Sequence, residues 1–248
     1  MAAQQALSVL VVDDDEYTRI FVQRFLPATL RTSTASNGRE AFEAVQRDPP
    51  DVIVMDLDMP VMGGLEAAAL IRKWESESGH PRRAMIAMSS HDDPAIAERS
   101  LQAGFDRCLT KPVSPDAIRR AVADLGRAAS PVPAPRDTPG PNDKVIVQAN
   151  LRGVLPGFLA SRRALLDDLA EAVARGDAEG SRALAHKLAG SFSLYGFHWA
   201  AAQGKRIERS AGANALAGLA GEVAALRRHF DTVRVECGAQ PEIEAPTK

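Results

Sequence analysis

Apolar and polar positions along the first half of the chain predict strands and helices in alternation. Four short apolar runs, "SVLVV", "DVIVMD", "AMIAMS" and "DRCLT", have the length and continuity of strands buried in a parallel sheet. The segments between them repeat apolar residues about every 3.6 positions, which is typical of helices with one buried face. A more polar run, "RTSTAS", is predicted to form one further strand. Five strand–helix units in residues 1–128 predict an α/β domain with a doubly wound, five-stranded parallel sheet.

The second half of the chain has a helical pattern with one short exception, "KVIVQ". Four segments rich in alanine and leucine follow it, and glycines interrupt them. This pattern predicts an all-α domain over residues 144–236, folded as an antiparallel helical bundle. Residues 237–248 contain little to bury and are predicted to form a disordered tail.

A proline-rich segment separates the two patterns. Residues 129–143, "ASPVPAPRDTPGPND", contain five prolines and one glycine. Such a composition is typical of a semi-extended linker. The chain is therefore expected to hold two domains joined by this linker.

Composition narrows the class of protein. The chain has 248 residues, of which 45% are hydrophobic and 25% charged, as expected for soluble globular domains. Residues 1–128 carry 15 Lys and Arg against 19 Asp and Glu, whereas residues 144–236 carry 13 against 9. Opposite net charges of −4 and +4 are compatible with a contact between the two domains, so an intramolecular docking is one hypothesis.

The cysteines and the length of the apolar runs indicate the cellular compartment of the protein. Cys108 and Cys237 are far apart and belong to no disulfide or zinc pattern, which favours a reducing compartment. No apolar run approaches the roughly 18 residues needed to cross a bilayer, and the start of the chain lacks the basic residues of a signal peptide. We therefore predict a cytoplasmic protein without a membrane contact.

Polar side chains follow four of the predicted strands at the points where these strands end. They are Asp13, Asp14 and Asp15 after "VLVV", Asp56 after "VIVM", Ser89 after "MIAM" and Lys111 after "CLT". Because ligands of an open parallel sheet bind beyond the carboxyl ends of its strands, these groups are expected to form one site. Clustered carboxylates suit Mg²⁺, and an ammonium and a hydroxyl group suit the oxygens of a phosphoryl group.

These residues resemble the receiver domain of two-component response regulators, which has a flavodoxin-like fold. The resemblance covers roughly residues 5–128 and rests on "VLVVDDD", "MDLDMPVMGG", "AMSS" and "LTKPV". It implies that Asp56 is the phosphoacceptor and that Mg²⁺ is held by the carboxylates of Asp13, Asp14 and Asp56 and the backbone carbonyl of Asp58. It also implies that Ser89 and Lys111 contact the phosphoryl group and that the peptide bond between Lys111 and Pro112 is cis.

Two further positions differ from the family pattern or lie outside it. The family usually has Tyr or Phe three residues before the lysine, where this chain has Cys108. The resemblance therefore does not extend to an aromatic switch. Asp15 also lies outside the pattern, and we predict that it is a helix N-cap.

One histidine of the second half lies in an unusual setting, "SRALAHKLAGS". Leu184 and Leu188 are two positions away from His186, which places the ring on the opposite side of the helix. The ring is therefore predicted to face solvent, in a clearing formed by small residues such as Gly190. Neutral imidazole is a competent nucleophile, although surface histidines without any chemical role are also common.

The stretch "AHKLAGSFSLYGF" resembles the histidine phosphotransfer (HPt) domain, a four-helix bundle. The resemblance covers residues 144–236 and implies one functional residue, His186, as a phosphoacceptor. The family often has lysine three positions after this histidine, whereas this chain has Ala189 there and Lys187 next to the histidine.

Together the two resemblances imply a protein of a multistep phosphorelay. A sensor histidine kinase, either simple or hybrid, would donate a phosphoryl group to Asp56. His186 would then exchange phosphate with the receiver aspartate of this chain or of another response regulator. The sequence has no glycine-rich phosphate loop and no kinase-like ATP region, so it is not expected to use ATP itself. It also has no basic recognition helix, so DNA binding is not expected.

Three alternatives stay open on the sequence alone. The helical bundle could be a binding or dimerisation surface that Asp56 switches, without any chemistry at His186. It could be a phosphate sink that drains a sensor kinase. The chain could also be the carboxyl-terminal part of a hybrid sensor kinase.

Overall fold

The computed structural model describes residues 6–90, 93–125 and 144–238. The chain divides into two units, with the boundary between residues 135 and 136. The predicted linker and all but the first two residues of the predicted tail lie outside the described ranges.

The first unit alternates strands and helices in the predicted order. Its strands are β1 (Ser8–Val12), β2 (Arg31–Ala35), β3 (Val52–Asp56), β4 (Ala84–Ser89) and β5 (Arg107–Thr110). Its helices are α1 (Glu16–Phe25), α2 (Gly38–Arg47), α3 (Gly64–Ser78), α4 (Pro94–Ala103) and α5 (Pro115–Leu125). All strand pairs are parallel and the order is β2-β1-β3-β4-β5, which confirms the predicted five-stranded α/β fold.

Burial explains why four of the strands are apolar and one is not. Strand β3 is buried at every position, as expected for a strand in the middle of a parallel sheet with helices on both faces. Strand β2 lies at an edge of the sheet and exposes four of its five residues, so that only Ala35 is buried. The polar sequence "RTSTAS" therefore reflects an edge position.

The loop that follows β3 packs closely against its surroundings because two glycines lack side chains. A Cβ atom on Gly64 would overlap the carbonyl oxygen of Asp56. The N–H of Gly38 donates to the carbonyl oxygen of Met62 at 3.0 Å, and a Cβ there would lie 2.7 Å from the same oxygen. Glycine at these two positions thus lets the loop turn back directly after Asp56.

The second unit is a helical bundle, as predicted. Its helices are α6 (Leu155–Ala174), α7 (Ala178–Leu194), α8 (His198–Gly212) and α9 (Leu219–Thr232). Each helix packs on the next, and α9 packs on α6, so that the four helices enclose one core. Aromatic rings fill much of that core, namely Phe158, Phe192, Tyr195, Phe197 and Phe230.

Two short strands join the ends of the second unit. Strand β6 (Lys144–Val147) pairs in parallel with β7 (Arg234–Cys237), and the N–H of Gly238 donates to the carbonyl oxygen of Val147 at 2.8 Å. The apolar run "KVIVQ" is the first of them. The sequence analysis missed β7 and assigned Cys237 to the tail, because four residues directly after a helix give too short a pattern to recognise.

No helix in the described ranges is both long enough and apolar enough to cross a membrane.

Candidate functional site

The carboxyl ends of β1 and β3 bring three carboxylates together. Asp13 and Asp14 directly follow β1, and Asp56 is the last residue of β3, its neighbour in the sheet. One carboxylate oxygen from each residue lies within 4.8 Å of the others. Asp13 and Asp56 are only 1% and 2% exposed, whereas Asp14 is partly exposed.

Lys111, which follows β5, places its ammonium group between two of these carboxylates. The Nζ atom lies 3.0 Å from Oδ2 of Asp13 and 3.1 Å from Oδ2 of Asp56. The backbone N–H of Lys111 donates to the carbonyl oxygen of Ser89 at 2.6 Å, which ties β5 to β4. The peptide bond between Lys111 and Pro112 is cis.

Burial and the neighbouring charges together set the protonation of this cluster. Burial raises the pKa of the Asp13 carboxyl to about 7, against the opposing effect of the Lys111 charge and with a further contribution from Asp56 and Asp14. Burial alone would lower the pKa of Lys111, but the charges of Asp13 and Asp56 outweigh it and raise that pKa, so the side chain is an ammonium ion.

The donor set fits a hard divalent cation. Three carboxylates and one ammonium ion leave surplus negative charge when all of them are ionised, and this repulsion contributes to the raised pKa of Asp13. Carboxylate oxygens at this spacing are ligands of the kind that Mg²⁺ prefers. Asp58 lies two residues beyond Asp56 in the loop to α3 and is exposed.

Neighbouring groups orient the acidic residues, and the sequence analysis missed most of them. Asp15 occupies the predicted N-cap position of α1, but its side chain makes no capping hydrogen bond to the backbone. Its carboxylate instead accepts the Thr18 hydroxyl at 3.1 Å, and its N–H donates to Oδ1 of Asp13 at 2.9 Å. Arg19 donates from Nη1 to the carbonyl oxygen of Asp13 at 2.5 Å. The N–H of Leu57 donates to Oδ1 of Asp56 at 3.0 Å. The polar residues in the first turn of α1 were the available signal.

Two consecutive serines lie between the strands that carry Asp56 and Lys111. Ser89 ends β4 and is 1% exposed, and Ser90 is 6% exposed. Among the described residues, the Ser90 hydroxyl is buried without a hydrogen-bond partner. Cys108 lies in β5 and is partly buried against the hydrophobic core, and burial raises the pKa of its thiol.

The prediction that His186 faces solvent is wrong. The residue is 9% exposed, and its Nδ1 atom lies 2.8 Å from Oε1 of Glu208 on α8. Two of the small residues near it, Ala189 and Gly190, are also buried. A Cβ atom on Gly204 of α8 would lie 3.0 Å from that of Ala189. Small side chains on this face therefore allow two helices to approach closely, whereas the helical wheel treated them as an open clearing.

Glu208 is the neighbour of His186 that the sequence analysis missed in the second unit. It is the only acidic residue in α8, "HWAAAQGKRIERSAG", and Gly204 precedes it by one turn. A lone carboxylate beside a glycine on an otherwise basic helix was the available signal. Pairing it with His186 needed the three-dimensional packing.

Comparison with protein families assigns both units. Residues 9–123 match the response regulator receiver domain, and residues 154–236 match the Hpt domain. Both assignments agree with the resemblances inferred from the sequence.

Three curated relatives illustrate the similarity. Sensor histidine kinase GacS of Pseudomonas protegens is 32% identical over 121 residues, 48% of this chain and 13% of GacS. Sensor histidine kinase AruS of Pseudomonas aeruginosa is 28% identical over 218 residues, 85% of this chain and 21% of AruS. Chemotaxis protein CheY of Halobacterium salinarum is 30% identical over 121 residues, 48% of this chain and 97% of CheY.

The chain thus spans a small part of the two kinases and nearly all of CheY. Its two units match two different families in the order receiver and then Hpt. The chain therefore belongs to the two-component phosphorelay family, with a response regulator receiver domain followed by an Hpt domain.

Proposed function

We propose that this chain carries phosphoryl groups through two residues, Asp56 of the receiver domain and His186 of the Hpt domain. The observation that carries the proposal is the buried cluster at the ends of β1, β3 and β5. There three carboxylates lie within 4.8 Å of one another, and the Lys111 ammonium lies 3.0 to 3.1 Å from two of them. Such a cluster suits an anionic group that arrives with a cation.

Asp56 is the proposed nucleophile because it lies among all the other groups. It ends β3, between the strands that lead to Asp13 and to Ser89. One of its carboxylate oxygens forms the new P–O bond as the bond to the donor breaks, and the donor atom keeps the bonding electron pair. Lys111 stays protonated and binds one phosphoryl oxygen, and the Ser89 hydroxyl donates to another.

The proposed metal is Mg²⁺, held by Asp13, Asp14 and Asp56 together with the backbone carbonyl of Asp58. When bound, the ion supplies the positive charge that lets a phosphoryl group approach a carboxylate. Burial raises the pKa of Asp13 and the neighbouring carboxylates add to this rise, although Lys111 opposes it, so a bound cation would favour the ionised form.

His186 is the proposed second acceptor, which exchanges phosphate with a receiver aspartate of this chain or of another response regulator. The proposed donor to Asp56 is a sensor histidine kinase, since GacS and AruS bear that name and align with 48% and 85% of this chain. Phosphohistidine and aspartyl phosphate are both activated, so the direction of transfer depends on the partners.

Intact mass after incubation with acetyl phosphate and Mg²⁺ tests the proposal. Wild type, Asp56→Asn and His186→Gln are compared, and each adduct is challenged with acid and with alkali. We expect an alkali-labile adduct on wild type and His186→Gln and none on Asp56→Asn, because only that variant lacks the first nucleophile. An additional acid-labile, alkali-stable adduct is expected on wild type alone.

Two results would contradict the proposal. Stoichiometric labelling of Asp56→Asn would move the acceptor to another carboxylate. A wild-type chain without an acid-labile adduct, also after incubation with a phosphorylated second receiver, would leave His186 without phosphotransfer.

A further inference from the structure

The small sheet of the Hpt domain has an edge that no other strand covers. Strand β7 pairs with β6, and the sheet has no third strand in the described part of the chain. No helix of the described ranges packs against β7 as extensively as β6 does. An uncovered strand edge presents N–H and C=O groups to which a further strand can pair.

The backbone hydrogen bonds show which groups lie on this outer edge. The N–H of Gly238 donates to the carbonyl oxygen of Val147 at 2.8 Å, so Gly238 directs its N–H toward β6. Successive residues of a strand direct their backbone groups to opposite sides. The groups of Glu236 therefore also face β6, whereas those of Val235 and Cys237 face the outer edge.

The side chains of β7 place one charge of each sign on its exposed face. Arg234 and Glu236 are exposed, and they alternate with the partly buried Val235 and Cys237. Oε2 of Glu236 pairs with Nζ of Lys144 at 2.7 Å. Arg234 lies opposite Lys144 in the register of the two strands, and like charges in such a pair are unfavourable. Within the described ranges Arg234 thus has a cation beside it and no acidic partner.

A second copy of β7 supplies this acidic partner when it runs antiparallel to the first. With the two copies of Val235 opposite each other, each Val235 N–H donates to the carbonyl oxygen of the other. Arg234 of each copy then lies opposite Glu236 of the other, with Cα atoms about 4.5 Å apart. A register centred on Cys237 also uses outward backbone groups, but it sets Glu236 opposite Gly238 and pairs no charges.

We propose that the outer edge of β7 binds a second copy of this chain in the register centred on Val235, which gives a four-stranded sheet in the order β6-β7-β7-β6. The pairing joins two Hpt domains and involves neither phosphoacceptor, so it goes beyond the proposed phosphotransfer and does not depend on it. Because β7 has only four residues, the contact area is small and the dimer is a weak one that forms as the protein concentration rises.

Sedimentation velocity of the full-length chain over a wide range of concentrations tests the proposal. Wild type should form dimers reversibly. Glu236→Arg and Arg234→Glu should each raise the Kd of the dimer at least about tenfold, because two attractive cross-strand pairs become repulsive. The double variant with both substitutions should return to within about threefold of the wild-type Kd, since each pair is kept with its signs exchanged.

Val235→Pro tests the backbone part of the pairing. It removes the outward N–H of Val235 and no N–H that faces β6, so it should abolish the dimer and keep the sheet of the single chain. Glu179→Arg is the matched control, because it makes the same charge change at an exposed position of α7 and should leave the Kd unchanged. Urea unfolding followed by tryptophan fluorescence checks that each variant folds.

Three results would overturn the proposal. The first is a wild-type chain that stays monomeric throughout, as expected if another segment of the chain covers the edge of β7. The second is a dimer with the same Kd in wild type, Glu236→Arg and Val235→Pro, since such a dimer forms through another surface. The third is a double variant that stays as weak as the single variants, which would contradict the register.

Discussion

The two candidate acceptors lie in opposite electrostatic settings. In the receiver domain, Asp56 and Asp13 share one ammonium ion, Lys111, and Asp14 adds further negative charge. In the Hpt domain, one imidazole faces one carboxylate, His186 and Glu208, at 2.8 Å. The first site has surplus charge before any ligand arrives, whereas the second is paired within the protein.

This difference indicates how each site is used. A buried cluster with surplus negative charge costs folding free energy, and a cation or a phosphoryl group with its metal can recover that cost on binding. The imidazole of His186 has no such cost to recover, because the Glu208 carboxylate already contacts it within the protein. We therefore expect ligands to stabilise the receiver domain and to leave the Hpt domain nearly unchanged.

The chain offers a separate reporter for each side of this comparison. It contains two tryptophans, Trp74 in α3 of the receiver domain and Trp199 in α8 of the Hpt domain. Replacing either one by phenylalanine leaves the other to report the unfolding of its own domain.

The largest expected effect is that of Lys111→Met. Removing the ammonium leaves two buried carboxylates without their shared counter-charge, which should cost on the order of 3 kcal/mol of receiver stability at pH 8 without metal. Urea unfolding followed by Trp74 measures it. Lys73→Met is the control, because Lys73 is 68% exposed and pairs weakly with Glu77. Equal stability of the two variants would show that the cluster does not depend on Lys111.

The next effect is the pH dependence that Asp13 contributes. Its folded-state pKa is raised to about 7 from an ordinary value of 3.8. Stability from this group is thus fully present below pH about 4 and is lost as the pH rises through about 7. Asp13→Asn should remove this loss and be more stable than wild type by on the order of 2 kcal/mol at pH 8 in EDTA, with little difference near pH 4.

Addition of Mg²⁺ at pH 8 should make wild type more stable than Asp13→Asn, which reverses their order in EDTA. Wild type should gain stability with metal, and Asp13→Asn should gain much less because a ligand is gone. The prediction would be contradicted if the stability difference between wild type and Asp13→Asn in EDTA did not depend on pH. Equal stabilisation of both proteins by Mg²⁺ would argue against Asp13 as a metal ligand.

The smallest effect is expected in the Hpt domain. Gly204→Ala places a methyl group 3.0 Å from the Ala189 side chain, so α8 must shift slightly. We expect a loss of about 1 kcal/mol, measured by Trp199 fluorescence. Gly221→Ala in α9 is the control: its Cβ meets no atom within 4 Å, and the better helix propensity of alanine should stabilise by up to about 1 kcal/mol. Equal shifts for the two variants would show that the contact between α7 and α8 is not tight.

The sequence predicted the receiver fold nearly completely because each strand carries its own signal. "DVIVMD" is apolar throughout since β3 is buried on both faces, and even the edge strand "RTSTAS" was recognised from its position in the alternation. The approach of Asp13, Asp14 and Asp56 also followed from topology, because parallel neighbouring strands end at the same edge. The residues that orient them, such as Thr18 and Arg19, needed the actual course of α1.

The Hpt domain was less predictable because helix packing involves residues distant in sequence. The four helices followed from periodicity, but β7 and the covering of His186 by α8 did not. A helical wheel shows which residues share a face and does not show what lies against that face.

The sequence by itself determined the two domains, their fold classes and the set of residues that can take part in phosphate chemistry. Only the tertiary structure shows how deeply these side chains are buried, that Lys111 contacts both Asp13 and Asp56, and that His186 pairs with Glu208. Hydrophobic periodicity and the order of strands and helices depend on residues that are close in sequence, so the sequence alone predicts them. Burial and charge pairing depend on distances of a few ångströms between distant segments, which only the packed fold sets.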